Sequence, residues 1–314
     1  MSLAETPASP AWALPRGARS GLGLILLFAL WELAARALTG AYLLAGPSDV
    51  ALYLWQNAGL MGRALAETAR NAAAGFVLGN LAAIALAALA LAWPRAERTV
   101  AALALVVFCL PLVATGPILR VAFGPGPGPQ IALAALAVYY TTLVPLLVGL
   151  RAAPATWFDL VASYGRGRVA ALVHVRAMAA LPYLFAGLQI AAPAALLGAM
   201  VGEFTGAERG MGVLTILAVR ALDVDATWAL ATLAAAVSIA AYAALGALGR
   251  WLSPNAPPAL LAPPPTPAAP GQWRATLGET ALVAALALAL WAALPALLGL
   301  SPFFAKGPAD IWAF

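Results

Sequence analysis

Residues able to carry chemistry are scarce in this chain and unevenly spread. The stretch DLVASYGRGRVAALVHVRAMAALP (159–182) holds Asp159, three arginines and the sole histidine, His174. Arg166, Arg168 and Arg176 could make charge-assisted contacts with an acidic partner or with lipid phosphates, and Asp159 either meets a partner or caps a helix. A lone histidine offers no basis for a histidine triad or a histidine-rich metal cluster, and His174 reads as a solvated or interfacial loop residue. Gly165-Arg-Gly-Arg-Val-Ala spells a dinucleotide fingerprint, yet no strand precedes it. The only lysine, Lys306, lies in Phe-Ala-Lys-Gly, so no Gly-x-x-x-x-Gly-Lys-Ser/Thr loop exists and the chain cannot be its own P-loop ATPase. No catalytic residue, cofactor or metal site is expected. Two acids remain. Glu32 sits within an apolar run, either paired with Arg36 at i, i+4 or facing protein or water. Glu203 ends another run, as a solvated helix end or beside a water-filled path.

The elements that must position these residues are set by composition. The chain has 314 residues, 64% hydrophobic and 9% charged, with mean hydropathy +0.92. Its Ala, Leu and Val runs exceed what a soluble core could hide, and several reach the roughly 20 residues that cross a bilayer. The charge of +5 would point to nucleic acid in a soluble protein. Here it marks cytoplasmic loops facing anionic lipid, and no nucleic-acid partner is expected. The single Cys109 excludes an intrachain disulfide framework. The first apolar run is long and lacks a clear small-residue cleavage site, so it is read as a retained helix rather than a signal peptide.

Six spans are predicted: about Gly21–Leu38, Ala69–Trp93, Val100–Ala114, Ile131–Leu150, Tyr183–Val201 and Trp228–Leu248. With the N-terminus inside, cytoplasmic segments carry Arg16, Arg19, Arg95, Arg98, Arg151, Arg166, Arg168, Arg176, Arg250 and Arg274. Outer segments carry Arg63, Arg70, Arg120, Arg209, Arg220 and Lys306, together with Glu203, Glu208, Asp223 and Asp225. That asymmetry favours a cytoplasmic N-terminus. The run FGPGPGP (123–129) reads as an outer loop, because alternating Pro and Gly forbid a regular span.

Burying Arg166, Arg168 and Arg176 at mid-membrane would cost roughly 9 kcal/mol, about 3 kcal/mol each. Residues 159–182 therefore form a wetted loop. Pro154 stops the preceding span, and Thr156 with Asp159 spells a capping box for a short helix. Leu160 and Tyr164 share a face of that helix, Gly165 and Gly167 interrupt it, a second segment starts near Val169, and Pro182 opens the next span. The pattern is helix, turn, helix between two spans.

This arrangement resembles the cytoplasmic coupling loop of bacterial ABC importer permeases, whose pattern is Glu-Ala-Ala, three residues, Gly, then a hydrophobic-Leu-Pro. Gly165 takes the glycine place, Asp159 the glutamate place, and Ala180-Leu181-Pro182 the second of two Leu-Pro sites. Leu160-Val161 replace the two alanines, and Ala177-Met178 stand where the first Leu-Pro would be. LLAGPSDVALYL (43–54), FCLPLVATGPILRVAFG (108–124) and LPYLFAGLQIAAPAALLGAMVGEFTGAERGMG (181–212) extend the likeness over roughly residues 20–250, to permeases of the nitrate/taurine/alkanesulfonate type. The resemblance implies an all-α polytopic fold in the bacterial inner membrane. It implies a passive path worked by separate ATPase subunits and a periplasmic binding protein, for a small anionic or polar solute of the nitrate, sulfonate or taurine class or a vitamin precursor. Its coupling-loop residues would be Asp159, Ser163, Tyr164, Gly165, Arg166, Arg168, Leu181 and Pro182, with Glu203 and Glu32 as path candidates. The rival reading is a secondary transporter or another polytopic protein, which should show acidic or broken-helix sites at mid-membrane.

The end of the chain repeats its start. SPNAPPALLAPPPTPAAPGQ (253–272) is a linker that cannot be helical. Beyond it a seventh span is predicted from about Leu277 to Leu297. Trp31 matches Trp291, and Gly46-Pro47-Ser48-Asp49-Val50 match Gly307-Pro308-Ala309-Asp310-Ile311 with a one-residue shift. The expected organisation is a tail (1–20), a permease domain (21–252), a linker (253–274) and the opening of a second permease repeat (275–314). A second permease domain, fused or supplied by a homodimer, would complete the path; reading the DNA past codon 314 tests the fusion.

Overall fold

The computed structural model describes residues 16–38, 43–93 and 95–254, with scattered positions between 281 and 293. The proline-rich linker, and the second repeat apart from those positions, lie outside the described residues. Among the described residues every regular element is helical, as the apolar runs predict. In order they are α1 (Arg16–Ala37), α2 (Pro47–Gln56), α3 (Ala58–Ala92), α4 (Glu97–Phe108), α5 (Leu112–Phe123), α6 (Gly128–Arg151), α7 (Ala155–Ser163), α8 (Arg168–Ala171), a π-helical turn (Leu172–Ala177), α9 (Met178–Glu203), α10 (Met211–Arg220) and α11 (Val224–Leu252).

Four helical stretches among the described residues are long and apolar enough to cross a membrane: α3, α6, Val169–Glu203 and α11. The expected third span, Val100–Ala114, is instead a pair, α4 and α5, bent by 90°. Pro111 is the cause. It occupies the N-cap of α5 with extended backbone (φ −62°, ψ 114°), and its missing N–H cannot continue the helix of α4. The expected second span is also corrected. α3 starts at Ala58, not Ala69, and its 35 residues extend about 52 Å, beyond a hydrocarbon core of about 30 Å.

The centre of the bundle is built by α3, α6 and α9 from small side chains. Ala134, Ala191 and Ala199 have no exposed surface, and Val138 and Ala195 pack with them. Without a hydrophobic force between helices in lipid, such seams hold by close backbone approach. A Cβ on Gly198 of α9 would lie 2.7 Å from Ala134 Cα, and one on Gly202 would lie 2.6 Å from Gln130 Cα. The obstructing atoms are backbone of α6, which cannot swing aside. Gly198→Ala is thus expected to destabilise the protein by about 2 kcal/mol, through overpacking of a seam that has no slack. Thermal unfolding in detergent checks this; an unchanged midpoint would contradict the seam. Outward faces are the reverse, with Ile25, Leu27, Leu81 and Ile239 all more than half exposed, the surface that lipid covers.

α6 and α9 run antiparallel, joined at one end by α7 and the turn after it. This end is called the loop end. The far end gathers the start of α3, the α5–α6 turn (124–127), the end of α9, and α10 with the start of α11.

Candidate functional sites: an exposed connecting helix and a buried carboxylate

At the loop end, α7 has no buried residue. Trp157, Leu160 and Tyr164, at i, i+3 and i+7, are 49%, 57% and 76% exposed and form one apolar stripe. The predicted capping box is not formed. Pro154, in extended backbone (φ −61°, ψ 145°), is the N-cap, which places Thr156 and Asp159 inside the helix. With Pro154 extended at the N-cap and Ala155 the first helical residue, Thr156 stands too far into the helix to cap it. Asp159 is consequently exposed, with no hydrogen bond or ion pair within the chain among the described residues. Ser163 Oγ donates to Leu160 O at 2.7 Å, and Arg166 is exposed.

The turn after α7 explains the glycine. Gly165 has φ +67°, in the left-handed region. Its N–H donates to Ala162 O (2.9 Å), and the Arg166 N–H donates to Val161 O (3.2 Å). Those two bonds form a Schellman cap, whose first residue past the helix is best glycine. The chain then enters α8, the π-helical turn and α9 without a break, so Pro182 does not open the span as expected. Leu181 and Pro182 lie within α9, one turn beyond the π-helical segment. The widened turn sits where Pro182 disturbs the hydrogen-bond ladder behind it. His174 is exposed, its Nδ1 3.1 Å from Ala170 O. The Arg176 guanidinium lies 5.2 Å from the Phe158 ring centroid, a cation–π contact that ties α7 to the body. Nearby, Glu97 and Arg151 form an ion pair that joins α4 to α6.

Glu203 proves to be neither a solvated helix end nor a wall of the far-end cavity described below. It is 2% exposed, and both carboxylate oxygens are engaged. Oε1 accepts from the Thr68 hydroxyl of α3 (2.7 Å), and Oε2 accepts from the Gly212 N–H (2.6 Å). The Thr68 hydroxyl in turn accepts from the Met211 N–H (2.8 Å). The first two N–H groups of α10 are therefore capped by side chains of α9 and α3, and the carboxylate faces the positive end of α10. Gly210, at φ +129°, makes room; a Cβ there would lie 2.2 Å from the Glu203 carboxyl carbon. Three helices meet on one carboxylate. Sequence reasoning misses Thr68, whose only mark is a hydroxyl within a helix of small residues.

Glu32 has the same kind of duty at the surface. Its Oε1 accepts from Arg36 Nε (2.9 Å), the expected i, i+4 pair, and its Oε2 accepts from the Ser48 N–H (3.1 Å), the second residue of α2. Ser48 Oγ also donates to Glu32 (2.8 Å), so the acid of α1 caps α2. Ser48 and Arg36 between them engage both of its carboxylate oxygens.

Known proteins similar to this chain are transport permeases. A protein of Haemophilus influenzae described as a probable ABC transporter permease is 30% identical over 223 residues, 70% of this chain and 90% of that one. The riboflavin transport system permease of Chloroflexus aurantiacus is 31% identical over 248 residues, 77% of this chain and 90% of its own length. A formylaminopyrimidine transport permease of Halalkalibacterium halodurans is 26% identical over 234 residues, 74% of this chain and 94% of its own. Residues 75–257, more than half of the chain, match the family described as binding-protein-dependent transport system inner membrane component. The chain belongs to that family of ABC transporter permeases.

Proposed function

We propose that this permease forms half of a solute path in an ABC importer, and that α7 with the turn at Gly165 is where a separate ATPase subunit docks. The observation that carries it is the apolar stripe Trp157, Leu160 and Tyr164 on a helix with nothing buried, flanked by the exposed Arg166 and by Asp159, which has no partner among the described residues. A face so placed suits a partner's pocket with a polar rim. Ser163 and Gly165 shape the cap, while Leu181 and Pro182 lie in α9 beyond the π-helical turn. Arg168, two residues further along the sequence, contributes a second positive charge. Nucleotide-driven closure of two ATPases would move α7, and the Phe158–Arg176 contact would pass that movement to α9 as alternating access.

The test is co-purification. Trp157→Glu, Leu160→Glu and the paired Arg166→Glu/Arg168→Glu variants are expected to reach the membrane normally and to lose the ATPase. Full retention in all three would overturn the assignment.

A periplasmic binding protein would deliver the solute to the far end. The arginine asymmetry supports a cytoplasmic N-terminus and loop end. After replacement of Cys109, a cysteine at position 208 should be labelled in intact cells and one at 166 only after permeabilisation; the reverse pattern would invert the topology. The internal repeat supports a second permease domain on the same polypeptide, with pairing of two copies as the other way to complete the path. The named relatives are transport permeases for riboflavin and formylaminopyrimidine, which supports a small polar, vitamin-like solute for this chain.

A further inference from the structure

The far end holds a cavity of about 520 Å³ between α3, the end of α5, the α5–α6 turn and the loop after α9. Its charged lining is Glu67, Arg70, Arg120, Glu208 and Arg209, three cations against two acids. Glu67 is already spoken for, since its carboxylate accepts from Arg70 at 2.7 Å. Arg120 and Arg209 have no hydrogen bond or ion pair within the chain among the described residues, and both residues line the same space. Gly206, at φ +110°, keeps the backbone beside Arg120 free of a side chain. One more polar group borders the cavity. Asn71 is 3% exposed, lines this cavity, and its amide bonds to nothing in the chain among the described residues. A buried amide is rarely left unpaired, and this one meets only what enters the cavity.

We propose that this basin binds the anionic group of a small solute, a carboxylate, sulfonate or phosphate, between Arg120 and Arg209, with the Asn71 amide donating to it. The chemistry is that of charge-assisted hydrogen bonds from forked guanidiniums to a planar or tetrahedral oxyanion. A cation finds less, because Glu67 is held by Arg70 and only Glu208 would remain. The basin lies at the opposite end of α6 and α9 from α7, so its role as the solute's receiving point rests on the importer reading; the binding itself does not.

The experiment uses the full chain in a neutral maltoside detergent, at ionic strength held constant with chloride. Thermal unfolding is followed with methanesulfonate, acetate or inorganic phosphate as probe. At about 10 mM, at least one probe should raise the midpoint by about 3 °C. The Arg120→Gln/Arg209→Gln variant should show the wild-type midpoint without anion, since neither residue has an intrachain partner among the described residues, and no rise with it. Asn71→Leu should reduce the rise, and Arg63→Gln, away from the basin, should keep it. No rise with any probe, or the same rise in the double variant, would overturn the proposal. So would a rise given only by phosphatidylglycerol in nanodiscs, which would assign the arginines to a lipid headgroup. Retention of the ATPase by the wild-type chain judges the importer reading separately.

Discussion

Replacing Glu203 with alanine is expected to lower the thermal unfolding midpoint by about 10 °C. The change leaves the Gly212 N–H and one side of Thr68 facing a void that water does not reach, since Glu203 is 2% exposed. Two hydrogen bonds to a charged group are lost at once, each contributing about 1.5–3 kcal/mol, and the donors left behind are buried. A total near 4 kcal/mol converts to the stated shift at about 2–4 °C per kcal/mol for a bundle of this size. Glu203→Gln separates charge from shape. Its carbonyl still accepts from Gly212, and its NH2 group can face the Thr68 hydroxyl, so about half the loss is expected. Thr68→Val should fall near Gln, because it removes the partner of Oε1 and of the Met211 N–H together. Gly210→Ala should be as damaging as Glu203→Ala, its Cβ driven to 2.2 Å from the carboxyl carbon with φ +129°. An alanine variant that melts within about 1 °C of wild type would show the carboxylate is not what holds α10 to α3 and α9.

How much of this is legible in the sequence depends on range. The short helix after Pro154 and the turn at Gly165 follow from local sequence, and the Glu32–Arg36 pair follows from helical spacing. The cap of Glu203 does not, because Thr68 stands 135 residues away and hydropathy reports on transfer of a segment, never on which segments touch. Hydropathy also misjudges ends. Ala58–Thr68 is only weakly apolar and carries Arg63 and Glu67, so α3 looks shorter in the sequence than it is. Pro111 is visible there but reads as lying inside a span, where membrane helices tolerate proline; in the fold the chain turns by 90° instead. At Thr156 the capping-box pattern fails, because the helix already starts at Ala155 with Pro154 as its N-cap. The short helices α2 and α10 are held by capping from other helices, a term absent from any local pattern.

Gly165→Pro is expected to abolish retention of the ATPase subunit while leaving the chain in the membrane. Position 165 needs φ +67°, and proline is locked near −65°. Proline also removes the N–H that donates to Ala162 O, so the Schellman cap opens and Arg166 loses its place over Val161. Arg166 would then leave α7 at a different angle to the stripe of Trp157, Leu160 and Tyr164 and to Asp159, and a partner built for both could meet only one. Gly165→Ala is the graded control. An alanine held in the left-handed region costs about 1–2 kcal/mol, so association should weaken about ten-fold rather than vanish. Because α7 buries nothing, neither change touches the core of α3, α6 and α9, and thermal unfolding of the permease alone should stay within about 2 °C of wild type. That pairing of outcomes is what distinguishes a docking element from a structural one. If Gly165→Pro retains its ATPase at the wild-type level, α7 is not the contact, however exposed its stripe. If it melts early instead, Gly165 serves the bundle and not the partner.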